Sequence, residues 1–163
     1  MGVLFDYFRA PDEEVALSLH RHPAGLVEAV AATGGSLLDI KGVDPVVMLG
    51  KLAGLLSGAS YEEMLMTGIP TSHIPSPELL TAEHDDNALV ELSTVVRDTL
   101  AGASDAALAE ATPLWAGIEE FGSTTWRGAD EVRPIVDELV ELARQAMENG
   151  QMIYCSICAK GAW

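Results

Sequence analysis

Two cysteines, Cys155 and Cys158, lie near the C-terminus in the segment Gln151-Met-Ile-Tyr-Cys-Ser-Ile-Cys158. A Cys-x-x-Cys spacing serves two chemistries: a dithiol–disulfide couple, or half of a tetrahedral zinc site. The setting opposes both. A redox pair of the thioredoxin type follows a strand and opens a helix, whose N-terminal dipole lowers the first thiol's pKa. Here a helix precedes the pair, and Met152 to Cys158 reads as a strand. Residues i and i+3 of a strand point to opposite faces. Cys155 therefore belongs with Ile153 and Ile157, and Cys158 with Met152, Tyr154 and Ser156. Zinc would need two further ligands, for which His20 and His22 are the imidazole candidates, and the same strand geometry stands against them. The expectation is two small side chains packed as apolar groups, with no metal and no cofactor.

A second group is Glu83-His84-Asp85-Asp86 together with His73, in the irregular stretch that holds Pro70, Pro75 and Pro77. Two imidazoles and several carboxylates can hold a divalent cation, or supply the base of a small enzyme with a His/carboxylate pocket over residues 73–86. Asp85, Asp86 and Asn87 are equally what a helix N-terminus uses for capping. A third group is Trp115, Phe121, Trp126 and Arg127. An aromatic beside an arginine in a Gly/Ser/Thr loop suits a recognition patch; a Trp126 folded back as a lid on the core suits the same residues. The candidate binding residues are thus Trp126, Arg127, His73, His84, Asp85 and Asp86. There is no Gly-x-Ser-x-Gly, no P-loop and no dinucleotide-binding glycine pattern, and no catalytic residue is assigned.

Charge narrows the partners. Nine Lys and Arg face 25 Asp and Glu, a net charge of −16. Such a surface repels phosphate backbones and anionic lipid, so nucleic acid and membranes are disfavoured; the acidity either serves only solubility or marks a basic protein as the partner. With 163 residues, the chain suits one globular domain, 1–163, large enough for a core without disulfides or metal. The start, Met1 to Arg9, has no basic region and carries Asp6 inside its apolar run, so it does not read as a signal peptide. The expected location is the cytoplasm.

The positioning elements follow from periodicity and caps. Val3, Phe5 and Tyr7 alternate with Leu4, Asp6 and Phe8 as on a strand. Pro11, at a first helical position, with Asp12, Glu13 and Glu14, opens a short helix. A second carries Leu26, Val27 and Val30 and stops at Gly34-Gly35. Ser36 to Ile40 is a short strand or a turn. Asp44-Pro45 starts a helix with Val46, Leu49, Leu52, Ala53 and Leu56 inward. Ser60-Tyr-Glu-Glu63 reads as a capping box, and Pro77 to Leu80 as a helical turn. A helix is expected from Asn87 to Ala101 with Leu89, Leu92, Val96 and Leu100 inward, and Ser104-Asp105 caps the next. The final helix has a stripe from Val132 through Leu139 to Met147 and ends at Asn149-Gly150. It leads into a closing strand that is apolar on both faces, hence central.

This order of parts resembles the YfbM-like family, a bacterial domain of unknown function. Tyr7-Phe-Arg-Ala-Pro-Asp-Glu-Glu14 is similar to its opening strand and acidic helix start. Leu38-Asp-Ile-Lys41 and Leu52-Ala-Gly-Leu-Leu-Ser-Gly58 are similar to its aspartate turn and leucine-rich helix. Ile74-Pro-Ser-Pro-Glu78 and Ser104-Asp-Ala-Ala-Leu108 are similar to its proline-marked segment and paired helices, and Ala146 to Tyr154 to its closing helix and strand. Where that family carries a Trp and a His after the aspartate turn, this chain has Val47, Met48 and Lys51, and the Cys pair is foreign to the pattern. The resemblance implies an α+β fold and supplies no catalytic residues. The expected fold is α+β, a small sheet containing the N- and C-terminal strands covered by five to seven helices. The expected function is a non-enzymatic acidic protein-binding module of inhibitor or immunity type.

Overall fold

The two longest strands come from opposite ends of the chain and pair antiparallel along their whole length, from Gly2 with Lys160 to Ala10 with Met152. In this computed structural model residues 2–58, 77–82, 87–124 and 126–160 are described. Among the described residues the sheet has five strands: β1 (Gly2–Ala10), β2 (Leu38–Asp39), β3 (Glu78–Leu79), β4 (Asn87–Glu91) and β5 (Met152–Lys160), in the order β2-β1-β5-β4-β3. Every pairing is antiparallel, and β5 is central. The helices among the described residues are α1 (Glu13–His20), α2 (Leu26–Ala32), α3 (Val47–Leu56), α4 (Thr94–Ala101), α5 (Asp105–Ala116) and α6 (Gly128–Glu148). A 3-10 turn, Glu119–Ser123, follows α5. The fold is α+β, with both terminal strands in the one sheet.

Strand alternation sorts side chains onto two cores. Tyr7, Val90, Ile153 and Cys155 face a thick layer made by α3, α4, α5 and α6. Phe8, Ala10, Leu89 and Tyr154 face a thin layer made by α1 and α2. Cross-strand Phe8 and Tyr154 stack with ring centroids 5.8 Å apart. The thick layer is organised by Trp115, fully buried, which meets Phe121 edge-on at 4.9 Å and donates its indole N–H to the Met48 carbonyl at 2.7 Å. Tyr7 crosses from the sheet to donate its hydroxyl to the Val43 carbonyl at 2.7 Å, fixing the approach to α3.

Caps explain where the helices begin. The Asp12 carboxylate accepts from Val15 N at 2.9 Å, so Asp12 is the N-cap of α1 and Pro11 lies outside the helix. Asp44 accepts from the backbone N–H groups of Val46 and Val47 at 2.9 and 2.6 Å, and Ser104 caps α5 through Ala107 N at 3.1 Å. These bonds satisfy donors that a helix leaves unmet in its first turn. At the far end of α6, Asn149 caps the helix and Gly150 takes a left-handed φ of 64°, turning the chain into β5.

Three expectations fail on particular residues. Asn87 to Ala101 is not one helix: Asn87–Glu91 is a strand, and α4 starts only after Ser93, whose hydroxyl accepts from Val96 N at 3.2 Å. Leu89 and Val90 are adjacent and both buried, in different cores, which a strand between two layers allows. Pro77 to Leu80 is not a helical turn; Glu78 and Leu79 pair with Glu91 and Val90 as an edge strand. Val46 and Met147 are exposed rather than inward. The Ser60 to Glu63 capping box lies outside the described residues.

Candidate functional site

The thin layer leaves part of its sheet face uncovered by the described helices. β1 and β5 are nine residues each, about 30 Å long. Helices α1 and α2, of eight and seven residues, are only about 12 and 10 Å long. They cover Phe8, Ala10 and Tyr154. The other half of the same face carries Leu4, Asp6, Ser156 and Cys158, and there a cleft of about 1050 Å³ opens. Its rim takes Asp39 from β2, Arg21 beyond α1, Glu28 from α2 and Asn87 from β4.

Strand register sets the floor. Asp6 is the cross-strand partner of both Asp39 and Ser156, and Cys158 lies across from Leu4 and Asn87. His20, the last residue of α1, closes the cleft on one side. Its Nδ1 lies 3.0 Å from Ser156 Oγ, and its Nε2 lies 3.3 Å from the Asn87 carbonyl oxygen. A carbonyl only accepts. In its neutral form a ring donating to that carbonyl carries its proton on Nε2, which leaves Nδ1 to accept from the Ser156 hydroxyl. Ser156 is only 6% exposed. The cleft thus joins an imidazole, a hydroxyl and carboxylates on one floor, with a thiol two residues beyond the hydroxyl.

The cysteines divide between the faces as strand alternation requires. Both are free; Cys155 is fully buried opposite Tyr7 in the thick-layer core, and Cys158 is half-buried in the cleft. Burial above all pushes the Cys155 thiol and the Tyr7 hydroxyl well up from their ordinary values. Tyr154 is raised by burial and then by Glu91, its cross-strand partner. These groups stay protonated in the folded chain while the unfolded chain releases the same protons above about pH 8.5 for Cys and about pH 10 for Tyr. The native state then binds more protons, so stability falls as pH rises through that window. Urea midpoints at pH 7, 9 and 10.5 should decrease in that order, with the steeper loss at the last step.

Trp126 and Arg127 sit away from this cleft. Trp126 packs against the thick-layer core, and its indole N–H donates to the Lys41 carbonyl at 3.1 Å. Gly42 makes that approach feasible: its φ is +83°, and a Cβ there would lie 2.9 Å from Thr124 Cγ2. Arg127 Nη1 donates to the carbonyls of Thr124 and Trp126 at 2.6 and 2.8 Å, tying the guanidinium to its own loop. His73, His84, Asp85 and Asp86 lie outside the described residues. Asn87, expected to open a helix behind them, opens β4 instead. The sequence carried one signal for the cleft: Asp6 and Ser156 interrupt the same otherwise apolar strand face. His20 gave none, since it meets Ser156 across 136 residues.

No family model and no curated protein matches the chain. The structure is similar to the crystal structure of a protein of unknown function, YfbM from Escherichia coli. That similarity covers 94% of this chain and 99% of that one, at 16% identity and a TM-score of 0.47. Among the described residues, no helix is long and apolar enough to cross a membrane.

Proposed function

We propose that this chain is an acidic binding module of inhibitor or immunity type, working in the cytoplasm on a basic protein partner that it meets at the β1–β5 cleft. The observation that carries this reading is the pairing of Asp6 with Asp39 across adjacent strands at the cleft, with Glu28 on its rim. These three carboxylates gather at one cleft, where a lysine or arginine side chain of a partner gains charge-assisted hydrogen bonds. The net charge of −16 adds a field that draws a basic partner in and holds off anionic competitors. The free thiols suit a reducing compartment.

The reading is tested by capture from the native host with the immobilised chain. The expected result is a basic protein retained at about 50 mM salt and released near 0.5 M, where screening shortens the range of surface charges to a few ångströms. Asp6→Asn with Asp39→Asn should weaken that capture at least about tenfold, chiefly through slower association. Retention of nothing at low salt, or capture indifferent to both salt and the two substitutions, rules the reading out.

A further inference from the structure

We propose that Ser156 is a nucleophile activated by His20, and that the cleft admits neutral or cationic carboxylic esters to it. Three observations meet at this pair. His20 Nδ1 lies at 3.0 Å from Ser156 Oγ, within the range for a base that removes the hydroxyl proton. The second ring nitrogen lies at 3.3 Å from the Asn87 carbonyl, which orients the ring and fixes the tautomer with its lone pair on the serine. Ser156 is 6% exposed and lines the cleft, so that opening is its route to small molecules under this proposal. A pair that served only to fasten α1 to the sheet would satisfy the same hydrogen bonds, and the two roles differ in reactivity.

The step balances as follows. Ser156 Oγ bonds to the ester carbonyl carbon while its proton passes to His20 Nδ1. The tetrahedral adduct collapses with cleavage of the carbon–oxygen bond to the alcohol, which leaves with the proton from Nδ1. Water, deprotonated by the same nitrogen, then cleaves the acyl-serine to the carboxylic acid. The position on β5 limits the rate: with β1 and β4 paired on either side, the strand's amides serve the sheet ladder rather than an oxyanion. Acylation and deacylation both pass through an oxyanion, so both steps are expected to be slow. The anionic rim disfavours negatively charged esters.

The test uses the intact full chain and a neutral fluorophosphonate, which transfers its phosphoryl group to an activated serine with loss of fluoride. The expected product is a single adduct mapped to Ser156, absent in Ser156→Ala. His20→Gln should slow labelling at least about 10²-fold, the low end of general-base contributions. The wild-type rate should also rise through one ionisation in the imidazole range and then level off, a readout that needs no variant to fold. An adduct elsewhere, no adduct, equal labelling of His20→Gln, or a rate that simply tracks hydroxide overturns the proposal. None of these outcomes involves a protein partner, so this inference and the binding reading fail or stand separately.

Discussion

Trp115→Ala is expected to destabilise the chain by about 3–5 kcal/mol, the cost of removing a large buried aromatic whose site cannot collapse around the void. The side chain is fully buried and makes two directional contacts at once: the edge-on contact with Phe121, and the hydrogen bond to the Met48 carbonyl. Domains of this size have about 5–15 kcal/mol in total. The variant should therefore sit close to its unfolding transition at ordinary temperature. Trp115→Phe separates the two contributions. It keeps most of the ring volume but leaves the Met48 carbonyl without its donor, at about 1–3 kcal/mol. Equilibrium urea unfolding followed by circular dichroism measures both. A Trp115→Phe midpoint equal to wild type would show that the Met48 bond contributes nothing net.

Trp115 also shows what could be read beforehand. Elements whose signal is local were legible: β1 from its alternation, α1, α3 and α5 from the carboxylates and hydroxyls that cap them, and α6 from its long one-sided stripe. β5 was legible as a central strand because both its faces are apolar. That same reading placed Cys155 and Cys158 on opposite faces, where they lie. β4 was not legible. Leu89, Leu92, Val96 and Leu100 happen to fall at helical spacing across what are a strand, a break and a helix. Only the pairing with β5, far along the sequence, decides for the strand, through the ladder from Asn87 with Cys158 to Glu91 with Tyr154.

The cleft was harder still, because its polar groups come from separate elements and only His20 and Arg21 are neighbours in sequence. Local clustering pointed to Glu83 to Asp86 and to Trp126-Arg127. Assembly instead joins Asp6 from β1, His20 from α1, Asp39 from β2 and Ser156 from β5. The legible part was the polar interruption of two apolar strands on a shared face. The register that sets Asp6 beside Ser156, and the length of α1 that brings His20 over it, are tertiary facts. His20 and His22 drew attention as zinc ligands for a Cys pair; the geometry gives His20 to the serine between those cysteines.

Glu120→Gln is expected to cost about 2–3 kcal/mol, somewhat under the about 3–5 kcal/mol for breaking a fully buried ion pair. Its partner is Lys51, on α3, whose ammonium pairs with the Glu120 carboxylate from the 3-10 turn after α5. The two side chains are 7% and 26% exposed, the lysine the more buried, and Glu120 Oε2 is itself buried. Amidation keeps the shape and leaves a buried ammonium facing a neutral group. Lys51→Met is the asymmetric control. It replaces the ammonium with an apolar chain of similar length and leaves the carboxylate of the more exposed partner. Its effect should be smaller than that of Glu120→Gln, because the charge left unpaired then belongs to the more exposed partner, 26% against 7%, although breaking the pair from either side has a cost. The double variant should then be more stable than Glu120→Gln alone. A double-mutant cycle by urea unfolding reads all three differences. If Lys51→Met costs as much as Glu120→Gln, the unequal burial of the two partners does not set the cost. If the double variant matches wild type, the pair fixes how α3 meets the turn after α5 without adding to stability, and the apolar contacts around Trp115 hold that layer together.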